Sequence, residues 1–188
     1  HTEFLLPIIE DDFMKTLETK LGYQFQNPKL LDHALTHSSY ANEHRAAGVP
    51  SNERLEFLGD SILGLVVADH LYRTRPDLPE GDLTRIRAAL VCEGSLVQVA
   101  QALDLGSYLK LGKGEDHGGG RARPSIQADA VEAMLAAVYL DGDAWILDNL
   151  SNAVLSHKRL SHYRPQFSVN EEYRWAHLTP SAPKKTGR

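Results

Sequence analysis

The chain has one cysteine, Cys92, so neither an internal disulfide framework nor a cysteine cage for a metal is available to it. Cys92 closes the run Ala88-Ala89-Leu90-Val91 and is expected in the core, and a reducing cytoplasm is the default compartment. No uninterrupted apolar run approaches the ~18 residues that a spanning helix needs, so no membrane segment is expected. The N-terminus lacks a basic segment followed by an apolar stretch, so no secretory signal is expected either. There is no internal repeat and no strand-like alternation, which leaves an all-α chain. A surplus of positive charge is missing too, since the formal net charge is −5. That figure hides an asymmetry: Ser151 onward carries +5 and the preceding residues −10. An acidic body is a poor general binder of nucleic acid by charge alone. A nucleic-acid function would need metal ions to offset it, or another positively charged module.

What is present reads as helices. With 188 residues, 42% of them apolar, the chain suits one domain with a substantial core and a tail. Asp11–Leu21 is amphipathic and stops at Gly22, a natural residue just past a helix end. Asn27-Pro28 supplies a cap and a proline at the first helical position, opening Lys29–Leu35. A short helix begins near Thr36-His37-Ser38-Ser39-Tyr40. The stretch from Asn52 onward meets no proline until Pro76 and reads as one long helix. Leu83–Val91, Ser95–Leu103, Ser125–Leu140 and Trp145–His157 follow as helices, and the glycine-rich Leu109–Pro124 as an exposed flexible loop.

Two helices carry the candidate chemistry. On the long helix Leu55, Leu58, Ile62, Leu65 and Val66 fall within an arc of roughly 100°. Glu53, Glu56 and Asp60 fall within roughly 60° on the nearly opposite side, with no lysine among them. Like charges at this spacing repel by a few tenths of a kcal/mol per pair, so a positive partner is expected. Ser125–Leu140 has an apolar stripe of Val131, Met134, Leu135 and Val138, with Asp129 and Glu132 pointing away from it. If the two helices pack side by side, Glu56, Asp60, Asp129 and Glu132 offer oxygen ligands alone, which suits Mg²⁺ with Mn²⁺ as a substitute. The competing reading is that both acidic sets are solvated faces.

Other residues say less. His33 and His37 lack the glutamate of an HExxH arrangement and read as packing or surface residues. The glycine-rich loop lacks the Gly-Lys-Ser/Thr ending of a phosphate-binding loop, and Ser39 and Ser61 have no evident His/Asp partners. Phe57 lies off the core stripe near Ser61, Gly64 and Ala68, where a bulky aromatic marks a contact surface or lies under a second layer of the domain.

Asn52-Glu53-Arg54-Leu55-Glu56-Phe57-Leu58-Gly59-Asp60-Ser61 resembles the signature of bacterial ribonuclease III. Leu35-Thr36-His37-Ser38-Ser39-Tyr40, Glu80-Gly81-Asp82-Leu83, Leu111-Gly112-Lys113-Gly114-Glu115 and Pro124–Ala133 resemble its other motifs, in order, over about Phe13 to Asp143. The resemblance implies an all-α endonuclease domain, residues 10–157, that forms a homodimer and hydrolyses double-stranded RNA with a divalent metal. It implies products with 5′-phosphates and short 3′ overhangs, and a place in rRNA or mRNA processing. It gives metal ligation to Glu56, Asp60, Asp129 and Glu132, catalytic roles to Glu132, Asp60, Glu53 and Glu80, and a dimer contact to Phe57. Gln127 departs from the family's pattern by being polar. The family normally continues into a double-stranded RNA-binding domain, to which the residues after Leu140 do not align. Residues 158–188 read instead as a loose basic tail, in which Lys158, Arg159 and Arg164 could contact RNA phosphates. The competing functions are an all-α, Mg²⁺-dependent nucleoside-triphosphate pyrophosphatase and a non-catalytic RNA-processing platform.

Overall fold

The computed structural model describes residues 6–142. Among them the regular structure is helical: α1 (Leu6–Leu21), α2 (Pro28–Ala34), α3 (Ser38–Glu43), α4 (Glu53–Thr74), α5 (Glu80–Leu90), α6 (Glu93–Leu103), α7 (Lys113–His117) and α8 (Pro124–Gly142). Short 3₁₀ turns and one isolated parallel bridge, Thr36 to Lys110, complete it. The all-α reading holds. The expected helix at Trp145–His157, the domain boundary at 157 and the basic tail with Lys158, Arg159 and Arg164 lie outside the described residues. No single helix among the described residues is long and apolar enough to cross a membrane.

The core is built round α8. From Ile126 to Val138 every residue is buried except Asp129 and Glu132. This differs from the single apolar stripe expected from the sequence. Ala128, Ala130, Ala133, Ala136 and Ala137 are all buried, so the helix is enclosed on all but the Asp129 and Glu132 side, and α2, α4 and α6 pack against it. Small side chains are what let three helices close round a fourth.

Gly59 makes the tightest of these approaches. A Cβ at this position would overlap the backbone carbonyl of Glu132, so α4 and α8 sit closer than any side chain would permit. The buried face of α4 is accordingly Leu55, Gly59, Ile62, Leu63, Val66, Val67 and Leu71. Leu65, expected in the core stripe, is 61% exposed instead. A helix this rich in apolar residues has more than one apolar face, and a stripe drawn from the sequence alone cannot choose between them.

The start of α4 is held by Asn52, which is buried. Its backbone N–H donates to the Thr36 carbonyl (2.8 Å) and its side-chain amide to the Ala34 carbonyl (3.1 Å). The glycine-rich segment is also ordered, contrary to expectation. Gly112 N–H donates to the Ser39 hydroxyl (2.9 Å) and Lys113 N–H to the Glu43 carboxylate (2.8 Å). Arg121 pairs with Asp116 and donates to the carbonyls of Gly106 and Leu109. Gln127 completes the set, donating from Nε2 to the Arg121 carbonyl (2.8 Å), so its polarity serves the loop. Cys92 is exposed rather than buried: it stands at the turn before α6, with its thiol 3.3 Å from the Ala89 carbonyl at the end of α5. A hydrogen bond from the Ser95 side chain is the main cause that lowers its pKa.

Asp141 fastens the two ends of the described fold. Its carboxylate accepts from Tyr23 hydroxyl (2.8 Å) and from the backbone N–H groups of Gln26 (2.7 Å) and Asn27 (2.8 Å). Burial would raise the Asp141 pKa, but these hydrogen bonds outweigh it and hold the carboxyl below its ordinary range. The same contact, with burial as the larger cause, pushes Tyr23 up to about 12. Asp141→Ala should cost about 1–3 kcal/mol in urea unfolding at pH 7. A depressed folded pKa stabilises above the unfolded pKa, and that contribution is lost as pH falls through the folded one. The gap between parent and variant should therefore close on acidification, and an equal gap at pH 7 and pH 3 would contradict this account.

Candidate metal centre

Asp129 and Glu132 are the two positions where buried α8 opens to solvent, and α4 lies across from them. Because Gly59 brings the two backbones together, one carboxylate oxygen each from Glu56, Asp129 and Glu132 lie within 4.8 Å of one another. Among the described residues none of these carboxylates is paired with a lysine or arginine. Such a group is electrostatically unfinished. Burial first, then the charges of Asp60, Asp129 and Glu56, push the Glu132 pKa up to about 7. Burial, Asp129, Glu53 and Asp60 raise Glu56 in the same way. Asp129 is raised by burial and by Glu93, against an opposing pull from His37.

The expected residues are not all in one place. Asp60 is exposed and outside the close trio, one turn along α4 from Glu56, yet it is the largest charge acting on Glu132. Glu53 and Glu56 occupy the first turn of α4, where the positive end of the helix dipole favours carboxylates. Glu53 accepts a hydrogen bond from the Ser51 hydroxyl (2.7 Å). Glu80 opens α5 and accepts from the Thr84 hydroxyl (2.7 Å), outside the trio. Phe57 is 78% exposed, as its position off the core stripe implied.

Sequence reasoning missed His37 and Glu93 as neighbours of Asp129; neither has a spacing that links it to α8. His37 Nδ1 accepts the Ser39 backbone N–H (3.2 Å) and lies 2.8 Å from the Ser39 hydroxyl. That hydroxyl also accepts from the Gly112 N–H, so the His37 ring is held against the glycine-rich segment. Oxygen donors alone, mutual repulsion and no basic partner together fit a hard divalent cation.

The sequence profile of the ribonuclease-III-like family matches residues 27–170. The chain belongs to that family. It is 54% identical over 132 residues to ribonuclease 3 of Desulforamulus reducens, covering 70% of this chain and 54% of that one. Ribonuclease 3 of Caldanaerobacter subterraneus is 58% identical over 126 residues, covering 67% and 55%. The chain thus spans about half the length of the curated relatives it matches. Among solved structures, the nuclease domain of Campylobacter jejuni ribonuclease III superimposes with a TM-score of 0.70 at 38% identity, covering 76% of this chain and 96% of that one. In that nuclease domain a region involved in dimer formation is structurally flexible. Likeness to ribonuclease III therefore extends from motif order to three-dimensional structure over the part that holds the acidic centre.

An acid whose folded pKa is raised destabilises the fold once pH climbs past its unfolded pKa, and the loss is complete above the folded value. Without divalent metal, Glu132→Gln should therefore melt higher than the parent at pH 8, with the advantage vanishing below about pH 4. A divalent ion at about 100 times its Kd adds about 2.7 kcal/mol to the parent. Thermal melts of both chains, with and without Mg²⁺, test this. Equal Mg²⁺ stabilisation of parent and variant would take Glu132 out of the centre.

Proposed function

We propose that this chain is the catalytic part of a divalent-metal-dependent endoribonuclease that cuts double-stranded RNA. The observation that carries the reading is the convergence of Glu56, Asp129 and Glu132 oxygens in a ribonuclease-III-like chain. We assign metal ligation to Glu56, Asp60, Asp129 and Glu132, with Mg²⁺ as the resident ion and Mn²⁺ as a substitute. Glu53 and Glu80 extend the acidic surface toward the substrate. When bound, the metal lowers the pKa of the water it holds and offsets charge on the phosphoryl oxygens. The chain's own part is to hold these carboxylates close together and aimed from two rigid helices. Products with 5′-phosphates and short 3′ overhangs follow from the family likeness, as does work on rRNA or mRNA precursors. The exposed free thiol of Cys92 is consistent with a cytoplasmic setting.

We further propose a homodimer through α4. Phe57, Leu65 and Tyr72 are 78%, 61% and 77% exposed, and at ~100° per residue they share an arc of about 100° with Ser61, Gly64 and Ala68. Small residues between large exposed apolar ones let a second copy come close. This face adjoins the acidic one, so a dimer would set two centres side by side, one for each strand.

The direct test is incubation with a long RNA duplex and Mg²⁺, with a nucleoside triphosphate as parallel substrate. Duplex cleavage without triphosphate hydrolysis is expected, and the opposite pattern would favour the pyrophosphatase. Glu132→Gln should abolish cleavage while the chain still binds duplex; turnover within a few-fold of the parent would reassign that residue. For the dimer, Phe57→Ala should weaken association by about 1–3 kcal/mol. A parent that sediments as a monomer at micromolar concentration would refute the interface.

A further inference from the structure

A surface pocket of about 530 Å³ lies where α3, the turn after it and the start of α4 meet. Its lining includes Ala41, Asn42, Arg45, Val49, Ser51 and Glu53. The volume is in the range of small-ligand sites. Glu53 on its wall stands one helical turn before Glu56, so the pocket and the acidic centre share the first turn of α4.

The lining chemistry narrows the occupant. Arg45 donates to the Asn42 side-chain oxygen (3.1 Å) and, among the described residues, has no carboxylate partner. Its remaining N–H donors are open to a phosphate oxygen. Glu53 and Ser51 form a joined acceptor and hydroxyl (2.7 Å), which suits a sugar hydroxyl and repels a second anion. Ala41 and Val49 offer a small apolar wall. A purely anionic ligand would meet Glu53, and a purely apolar one would strand Arg45 and Glu53 without water. A unit with one phosphate and a neutral hydroxylated sugar satisfies all of them.

We propose that this pocket is a substrate subsite that seats one sugar–phosphate unit of the RNA strand, its phosphate on Arg45 and its ribose against Ser51 and Glu53. The inference rests on the nuclease reading above and adds the residues that position the strand. An acidic centre repels the backbone it must cut, so a cation on the adjoining wall is where attraction for the strand can come from. Recognition of duplex RNA through phosphates and 2′-hydroxyls has the same donor and acceptor requirements.

The test uses Arg45→Met in the full chain, which keeps the aliphatic stem and removes the charge. Duplex binding is measured by fluorescence anisotropy over a range of salt in the cleavage-dead Glu132→Gln background with Mg²⁺. Cleavage kinetics are measured in the parent background, with thermal melts and sedimentation alongside. The expected result is about tenfold weaker binding, a log–log salt slope shallower by just under one unit, and a raised KM with kcat unchanged. Melting temperature and sedimentation should match the parent. If the parent cleaves and Arg45→Met binds with unchanged affinity and slope, the subsite is wrong. If the variant instead loses self-association, the pocket belongs to a chain–chain contact and the proposal also falls. If the parent fails to cleave but Arg45→Met still weakens binding, the subsite stands and the nuclease reading fails. A parent that neither binds nor cleaves duplex overturns both.

Discussion

The contact between Gly59 and the Glu132 backbone governs the rest of the structure. Helices normally keep about 8–10 Å between axes because side chains hold them apart. Where one side is a glycine, the other helix's backbone moves in, and side chains on either flank are carried toward each other. Here those flanking side chains are carboxylates: Glu56 and Asp60 on α4, Asp129 and Glu132 on α8. The same contact that completes the core therefore gathers negative charge at its edge. Burial first, and for Glu56 and Glu132 the neighbouring carboxylates after it, raises the pKa values of Glu56, Asp129 and Glu132. A fold that keeps such a strained group of like charges gives up some stability for a site ready to hold a cation.

That cost is tolerable only if the helices cannot drift apart, and the surrounding hydrogen bonds show why they do not. Asn52 ties the start of α4 to the segment after α2, through the carbonyls of Ala34 and Thr36. The Thr36–Lys110 bridge ties that segment to the chain that leads into α7. Arg121 and Gln127 then tie that chain to the start of α8. The links form a closed circuit from one carboxylate helix to the other. His37 and Ser39 lie on the same circuit, so the imidazole acting on Asp129 is oriented by the loop that Gly112 belongs to. Relaxing the repulsion would require several of these bonds to break together.

The sequence made some of this legible and hid the rest for identifiable reasons. The pairs Glu56/Asp60 and Asp129/Glu132 were readable because helical spacing alone puts each pair on one side of its helix. That the pairs face each other followed only from an assumed packing, which the structure supplies for Glu56, Asp129 and Glu132. Leu65 defeats a stripe drawn from sequence because the apolar residues of α4 serve two faces, and hydrophobicity does not say which face meets α8. In α8 alanine gives a weak periodic signal, although five alanines are what allow its near-complete enclosure. Composition alone makes the glycine-rich loop look flexible. Its order comes from partners far away in sequence, Ser39 and Glu43, which no local pattern reveals. The apolar neighbours of Cys92 point to the core, whereas its place at the turn between α5 and α6 decides its exposure.

Charge gives the last step. The centre has no lysine or arginine paired to it among the described residues, and an RNA strand would bring more negative charge to the same place. Metal and RNA must then help one another on the proposed reading, since each reduces the repulsion met by the other only if the ion sits between them. Linkage makes the effect reciprocal: whatever factor Mg²⁺ gains for RNA affinity, RNA gains for Mg²⁺ affinity. A raised Glu132 pKa feeds into the same balance, because a proton on Glu132 competes with the ion for one site. Falling pH should therefore weaken metal first and RNA through it, so the acid limb of activity would track occupancy of the centre and not loss of the fold.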